Sequence, residues 1–211
     1  MRESEEQLEV AGLRVTSIGD PETAELVVVL LHGFAMTPRD LSPFAHSLRL
    51  PAWFLFPEGP LESRKARAWW HIDEDAREAA IARGPRDFAA QHPPDLPAAR
   101  AHLTRLITEL APRIAGRPLH LGGFSQGAML TFDTVLRTTF PLAGMLLLSG
   151  SRIGWEEQAQ LLAGAAKDRL RGLPTLVAHG RADADLAFAA GEALRDAAAS
   201  GGADVTWLPF D

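Results

Sequence analysis

The amino-acid sequence predicts an α/β fold, in which helices cover both faces of a mostly parallel sheet. Short apolar segments alternate along the chain with helical segments, which is the order expected for strand–helix–strand units. Several apolar segments are continuously hydrophobic, as in Leu26–Leu31, and such strands are typically buried on both faces of a parallel sheet. The 211 residues suit a single domain whose core needs no disulfide or metal.

Strands are predicted where short apolar or alternating runs lie between turn residues. The first run, 13–18, is expected to be an edge strand, and most of the others are expected to be buried. The predicted strands are 13–18, 26–31, 53–56, 119–124, 142–148, 175–178 and 205–208.

Helices are predicted from capping residues and from apolar spacing. Thr37 can cap a helix, Pro38 suits the first helical position, and Asp40 lies where the positive helix end favours a carboxylate. Between 95 and 114, apolar residues recur at every third or fourth position, as in an amphipathic helix. The predicted helices are one that begins after Thr37, 95–114, 126–137 and 188–199.

The segment 57–97 shows no clear periodicity and contains several Pro, Gly and charged residues. Long segments of this kind are usually lids or binding loops, so we expect an irregular segment that lines a cleft. The alternative is a surface insertion without a role in function.

Composition excludes several kinds of site. The chain has no Cys, which excludes a disulfide scaffold, a thiolate nucleophile and an iron–sulfur cluster. Its 21 Lys and Arg against 27 Asp and Glu give a net charge of −6, which argues against nucleic acid as a partner. The charged N-terminus is not a secretory signal and no apolar run could span a bilayer, so we expect a cytoplasmic protein.

The pentapeptide Gly123-Phe124-Ser125-Gln126-Gly127 fits the pattern Gly-x-Ser-x-Gly. A predicted strand leads into it and a predicted helix follows it, which is the context in which this pattern marks a nucleophilic serine. The sharp turn exposes the serine hydroxyl, and the positive end of the helix favours developing negative charge. The alternative is a serine in a tight turn that carries out no chemistry.

A serine hydroxyl needs a base, usually a histidine that is oriented by a carboxylate. Asp183 is the candidate carboxylate, because it follows the predicted strand at 174–178 and therefore lies at the same sheet edge as Ser125. Asp185 is the other candidate, and either acid could be an ordinary solvated loop residue.

The turn His32-Gly33-Phe34 ends another predicted buried strand and can direct backbone N–H groups toward the same edge. The N–H groups of Phe34 and Gln126 are therefore candidates for an oxyanion hole. His32 itself is expected to pack and to hydrogen-bond with the backbone.

Three segments together indicate a protein family. In chain order they are Leu-Leu-His-Gly-Phe at 30–34, Gly-Phe-Ser-Gln-Gly at 123–127, and His-Gly-Arg-Ala-Asp-Ala-Asp-Leu at 179–186. In these segments the sequence resembles the carboxylesterase/phospholipase family of α/β-hydrolases, which includes acyl-protein thioesterases. The resemblance extends over 26–210, which is most of the chain.

The resemblance implies the α/β-hydrolase fold, with Ser125 as the nucleophile, Asp183 as the triad acid, and Phe34 and Gln126 as oxyanion donors. The family usually has Val-Pro after the acid, whereas Leu186 and Ala187 stand here. The pair Trp69 and Trp70 resembles a family stretch near the acyl cleft, so both side chains are expected to bind substrate. Alternatively, they anchor the loop to the core.

In this family the catalytic histidine lies on a loop after the last strand. All seven His of this sequence precede Asp183, and the chain ends at Asp211. Three explanations stay open. The histidine loop and a final helix follow Asp211 in the natural protein, His71 serves as the base, or the protein binds ligands without catalysis.

We therefore expect a serine hydrolase that cleaves carboxylic esters or thioesters through an acyl-enzyme, with a small-molecule or lipid ester as substrate. The alternative is a non-catalytic acyl- or ligand-binding protein on the same fold. The sequence has no zinc-protease, phosphate-loop or dinucleotide-loop motif, so we expect neither a metal nor another cofactor.

Overall fold

The computed structural model describes residues 5–211, and within them it has ten strands and seven helices. The strands are β1 Glu5–Val10, β2 Leu13–Ile18, β3 Leu26–Leu31, β4 Ala52–Pro57, β5 Leu61–Glu62, β6 Arg67–Ala68, β7 Leu119–Phe124, β8 Leu142–Leu148, β9 Pro174–Gly180 and β10 Asp204–Phe210. The helices are α1 Pro38–Leu48, α2 Glu74–Ile81, α3 Leu96–Ile114, α4 Gln126–Arg137, α5 Trp155–Ala163, α6 Ala166–Leu170 and α7 Phe188–Ser200.

Eight of the described strands form one sheet, in the order β1-β2-β4-β3-β7-β8-β9-β10. The pairs β1–β2 and β2–β4 are antiparallel, and every other neighbouring pair is parallel. The predicted α/β fold with a mostly parallel sheet is therefore confirmed.

Strand β3 shows why its sequence is continuously apolar. Val27, Val29 and Leu31 belong to a large core cluster, whereas Val28 and Leu30 belong to a second, smaller cluster. Successive side chains of a strand point to opposite faces of the sheet, so both faces at β3 are covered. The large cluster includes the apolar stripe of α3, and the small cluster includes Ala45 of α1.

The edge of the sheet differs from the prediction. The segment 13–18 is not an edge strand, because β1 pairs with it along its whole length. The two strands are joined by Ala11 and Gly12, both with positive φ, as a two-residue hairpin turn requires. Strand β1 is mostly exposed and rich in Glu, so it carries little of the apolar alternation by which strands are predicted.

The segment 57–97 is more regular than predicted, because it contains the β5–β6 hairpin and helix α2. Asp73 caps α2 by accepting a hydrogen bond from the Ala76 N–H. Arg64 in the hairpin donates two hydrogen bonds to the carboxylate of Asp75, at 2.6 and 2.9 Å. Helix α2 buries none of its residues, which explains why apolar spacing did not predict it.

The parallel strands bring three loops to one edge of the sheet. Strands β3 and β7 are neighbours, and β8 alone separates β7 from β9. The loops that follow β3, β7 and β9 carry Phe34, Ser125 and Asp183. In the described part of the chain, no helix is both long enough and apolar enough to cross a bilayer.

Candidate active site

Ser125 lies in a strained turn between β7 and α4. Its backbone has φ 52° and ψ −112°, which is rare for a residue with a side chain. Two backbone hydrogen bonds fix this conformation, because the Ser125 N–H donates to Leu148 O at 2.8 Å and Ser125 O accepts from the Met129 N–H at 3.1 Å. Strain held in this way by the surrounding structure is typical of functional sites.

The two glycines that flank Ser125 allow this turn to form. A Cβ atom on Gly123 would lie 2.4 Å from the carbonyl carbon of Gly127, and a Cβ on Gly127 would lie 2.3 Å from Leu31 O. Neither position has room for a side chain. Helix α4 therefore lies directly against β3 and β7, and its N-terminus begins at the residue after the serine.

A cavity of about 240 Å³ opens beside the serine. Its lining brings together Ser125, Asp183, Phe34, Gln126 and Trp70, which come from four separate parts of the sequence. The other residues that line it are Gly33, Ile72, Arg77, Arg86, Phe88, Phe124, Met129, Asp185 and Leu186.

Two backbone N–H groups at this cavity are suited to stabilise an oxyanion. Gln126 is the first residue of α4, so its N–H has no acceptor one turn earlier in the helix. Phe34 lies in the turn after β3, and its N–H donates to no protein acceptor among residues 5–211. The next residue, Ala35, has φ 57° and donates to Arg67 O at 2.9 Å, which fixes this turn.

Asp183 is held by the backbone of its own loop. One of its carboxylate oxygens, Oδ1, accepts hydrogen bonds from the N–H groups of Asp185 and Leu186, both at 2.9 Å. The other oxygen, Oδ2, lies 3.7 Å from His179 Nε2, and the side chain is 20% exposed. Within residues 5–211, Oδ2 therefore accepts no hydrogen bond, whereas Oδ1 accepts two.

Asp185 also lines the cavity but is engaged differently. Its carboxylate forms ion pairs with both Arg77 and Arg86. Its backbone carbonyl accepts the Arg86 N–H at 2.8 Å, and Arg86 O accepts the Ala187 N–H at 2.9 Å. These contacts join the 57–97 segment to the loop after β9. Local sequence patterns contain no signal for this cluster, since Asp185 lies about a hundred positions from both arginines.

No histidine of residues 5–211 lines this cavity. His71 is exposed, and its backbone N–H donates to Asp95 Oδ2. His179 is fully buried, and its Nε2 is 3.1 Å from Leu186 O.

His32 packs as predicted. The Gly59 N–H donates to Nε2 at 2.8 Å, so Nδ1 carries the proton and donates to Gly33 O at 2.7 Å. Burial lowers the pKa of His32 below its ordinary value, against the opposing effects of the bond to Gly33 and the nearby carboxylates.

The two tryptophans have different positions. Trp70 lines the cavity, although its side chain is only 1% exposed. Trp69 is not among the lining residues; its indole N–H donates to His32 O at 3.0 Å, and its ring packs 5.4 Å from the His32 ring. Trp70 therefore forms part of the cavity wall, whereas the hydrogen bond of Trp69 connects its loop to the end of β3.

Comparison with solved structures supports the fold. A carboxylesterase from Mesorhizobium loti superposes with a TM-score of 0.73 at 18% identity, over 99% of this chain and 90% of that one. An acyl-protein thioesterase 2 from Zea mays gives 0.70 at 21% identity, over 94% and 89%. The esterase PE8 gives 0.67 at 23% identity, over 99% and 89%. At these identities the similarity establishes the fold alone.

A search of curated protein sequences finds no match. The family model described as phospholipase/carboxylesterase, in contrast, matches residues 11–207. That range includes all three resembling segments and nearly the whole sheet. The chain belongs to the phospholipase/carboxylesterase family of α/β-hydrolases.

Proposed function

We propose that this chain is a serine hydrolase that cleaves carboxylic esters or thioesters through an acyl-enzyme intermediate. The observation that carries the proposal is Ser125 in its strained turn, facing a cavity that also contains Asp183. The similar structures described as esterase, carboxylesterase and acyl-protein thioesterase support the same substrate class.

In the proposed mechanism, a base removes the proton of Ser125 Oγ while the oxygen forms a bond to the acyl carbon. The N–H groups of Phe34 and Gln126 donate to the oxyanion of the tetrahedral intermediate. The intermediate collapses with loss of the alcohol or thiol, which takes the proton from the base. Water then repeats the sequence on the acyl-enzyme, so the products are one acid and one alcohol or thiol.

The proposed base is a histidine, which this family carries on a loop after the last strand. Strand β10 ends near the proposed triad acid, because Phe210 pairs with Gly180 at the end of β9, three residues before Asp183. Asp183 would then accept the imidazole N–H, fix its tautomer and stabilise its charged form.

A second candidate is a ligand-binding protein without catalysis. The observation that favours it is that no imidazole of residues 5–211 lines the cavity. This candidate predicts a ligand that binds but is not turned over.

Labelling with a fluorophosphonate probe separates the two candidates. We expect the wild-type protein to be labelled, Ser125→Ala to lose the label and Asp183→Asn to be labelled more slowly. Ser47→Ala is the matched control, because Ser47 is exposed on α1 and should leave labelling unchanged. Label that persists in Ser125→Ala overturns the nucleophile, and an unlabelled protein that still binds esters favours the second candidate.

A further inference from the structure

Two arginines line the cavity beside Ser125, and neither is part of the mechanism above. Arg77 comes from α2 and Arg86 from the loop after it, and their side chains are 28% and 19% exposed. Both also line an adjacent cavity of about 450 Å³. The two cavities therefore adjoin at these side chains.

Arg77 and Arg86 share one carboxylate, because both form ion pairs with Asp185. The other acids that line the two cavities form no ion pair with either arginine in the described part of the chain. Asp183 accepts N–H groups of its own loop, Asp73 accepts the Ala76 N–H, and Asp87 contacts Ser151 and Arg152.

Arg77 has unused hydrogen-bond donors. A guanidinium carries five N–H groups. Arg86 directs Nε and Nη2 to one oxygen of Asp185, whereas Arg77 uses Nη2 alone on the other oxygen. The remaining N–H groups of Arg77 have no protein acceptor in the described part of the chain. Its guanidinium carbon lies 5.7 Å from the centre of the Phe34 ring, which holds it next to a proposed oxyanion donor.

The cavity beside Ser125 is small. Its volume of about 240 Å³ is below the range of roughly 300–1,000 Å³ that is usual for pockets of drug-sized ligands. A short ester fits such a space better than a long acyl chain. A carboxylate is the anion whose two oxygens match the planar donors of a guanidinium.

We therefore propose that this site selects short esters that carry a carboxylate near the scissile bond, and that Arg77, supported by Arg86, binds that carboxylate. This inference rests on the proposed function, because it names the substrate class of the same site. The carboxylate could belong to the acyl group or to the alcohol.

The kinetic test compares charged esters with neutral esters of the same shape. Monoethyl succinate against ethyl butyrate tests a carboxylate on the acyl side, and acetoxyacetate against ethyl acetate tests one on the alcohol side. In each pair a methyl group replaces the carboxylate. We expect kcat/KM of the wild-type protein to favour the charged ester in at least one pair.

Arg77→Met removes the guanidinium group that has unused donors and leaves Asp185 paired with Arg86. We expect the preference for the charged ester to fall by roughly tenfold to a hundredfold, the usual effect of losing a charge-assisted hydrogen bond. Arg77→Lys keeps the charge without the planar donors and should give an intermediate preference. Arg83→Met is the matched control, because Arg83 lies in the same segment, is exposed and lines neither cavity.

A binding measurement separates this inference from the proposed function. Ser125→Ala should bind monoethyl succinate more tightly than ethyl butyrate in calorimetry, with an affinity that weakens as salt is added. If such binding depends on Arg77 but the wild-type protein hydrolyses nothing, carboxylate recognition stands and the hydrolase fails. If the wild-type protein hydrolyses both esters equally, or Arg77→Met keeps the full preference, the inference is overturned.

Discussion

Gln126 and Trp69 are joined by a hydrogen bond of 2.8 Å, in which Gln126 Oε1 accepts the backbone N–H of Trp69. The Nε2 group of the same side chain donates to Trp70 O at 2.9 Å. The residue after the proposed nucleophile thus connects helix α4 to the segment that carries both tryptophans. Gln126 thereby places its backbone N–H at the cavity, and its side chain fixes the backbone of the tryptophan pair, of which Trp70 lines the cavity.

Gln126→Leu should destabilise the protein. The substitution leaves a buried N–H of Trp69 and a buried carbonyl of Trp70 without partners, each of which costs about 1–3 kcal/mol. We expect the free energy of unfolding to fall by about 2–4 kcal/mol in urea denaturation. Gln160→Leu makes the same chemical change on the exposed face of α5 and should have little effect. Equal stability of the two variants would contradict the anchoring role.

Gly127→Ala should displace helix α4 from the sheet. The new Cβ would lie 2.3 Å from Leu31 O, which is a backbone atom and cannot move aside as a flexible side chain could. We expect the free energy of unfolding to fall by about 1–3 kcal/mol, and fluorophosphonate labelling to slow as Ser125 moves. Unchanged unfolding and unchanged labelling would show that the turn tolerates a side chain.

Substitutions of two aspartates should affect different properties: Asp133→Asn should lower stability, and Asp183→Asn should lower activity. Asp133 is 1% exposed and accepts hydrogen bonds from Arg100, Arg137 and Gln158, so Asp133→Asn breaks a buried network. We expect it to lower the free energy of unfolding by about 3–5 kcal/mol. Asp183→Asn keeps an acceptor for its two loop N–H groups and should unfold like the wild-type protein.

The two variants should rank in the opposite order in esterase activity, measured at a temperature at which both are folded. We expect Asp183→Asn to lose on the order of 10³–10⁴ in kcat, as when the orienting acid of a triad is lost. Asp133→Asn should retain most activity while it stays folded. An active Asp183→Asn variant would remove Asp183 from the proposed triad.

Stability should fall in mild acid because His32 is buried in its neutral form. Burial lowers its pKa in the folded protein, whereas the unfolded chain titrates near 6.5. The unfolded state therefore binds more protons between these two pKa values. Stability contributed by His32 is fully present above pH 6.5 and is lost as the pH falls toward the lower folded value.

Urea denaturation at several pH values checks this expectation. His32 binds at most one proton, so it changes the free energy of unfolding by at most about 1.4 kcal/mol per pH unit. His32→Gln should flatten the slope by up to that amount, and His71→Gln, at an exposed position, is the control. An unchanged slope in His32→Gln would contradict the burial of a neutral imidazole.

The sheet was predictable because its strands have distinct local patterns. Strands β3 and β7 are short apolar runs bounded by turn residues, and α3 repeats apolar residues at helical spacing. Strand β1 and helix α2 were missed because they are stabilised mainly by partners elsewhere in the chain. The Glu residues of β1 are exposed, and α2 is held at Arg64 and Asp185 rather than by a buried face.

The placement of Ser125 and Asp183 at one cavity follows from the rule that loops after parallel strands meet at one sheet edge. The contacts of the surrounding side chains cannot be predicted from this rule. The contacts of Arg77 and Arg86 with Asp185, and of Gln126 with Trp69, connect distant parts of the sequence. Local spacing carries no information about such contacts, and only the tertiary structure shows them.

The most direct test of the account is a search for the acyl group on Ser125 during turnover. The protein is mixed with p-nitrophenyl acetate, quenched in acid within the first turnover and examined by intact mass and peptide mapping. We predict one acetyl group on the peptide that contains Ser125, and none in Ser125→Ala. An acetyl group on another residue, or one that persists in Ser125→Ala, would contradict the account.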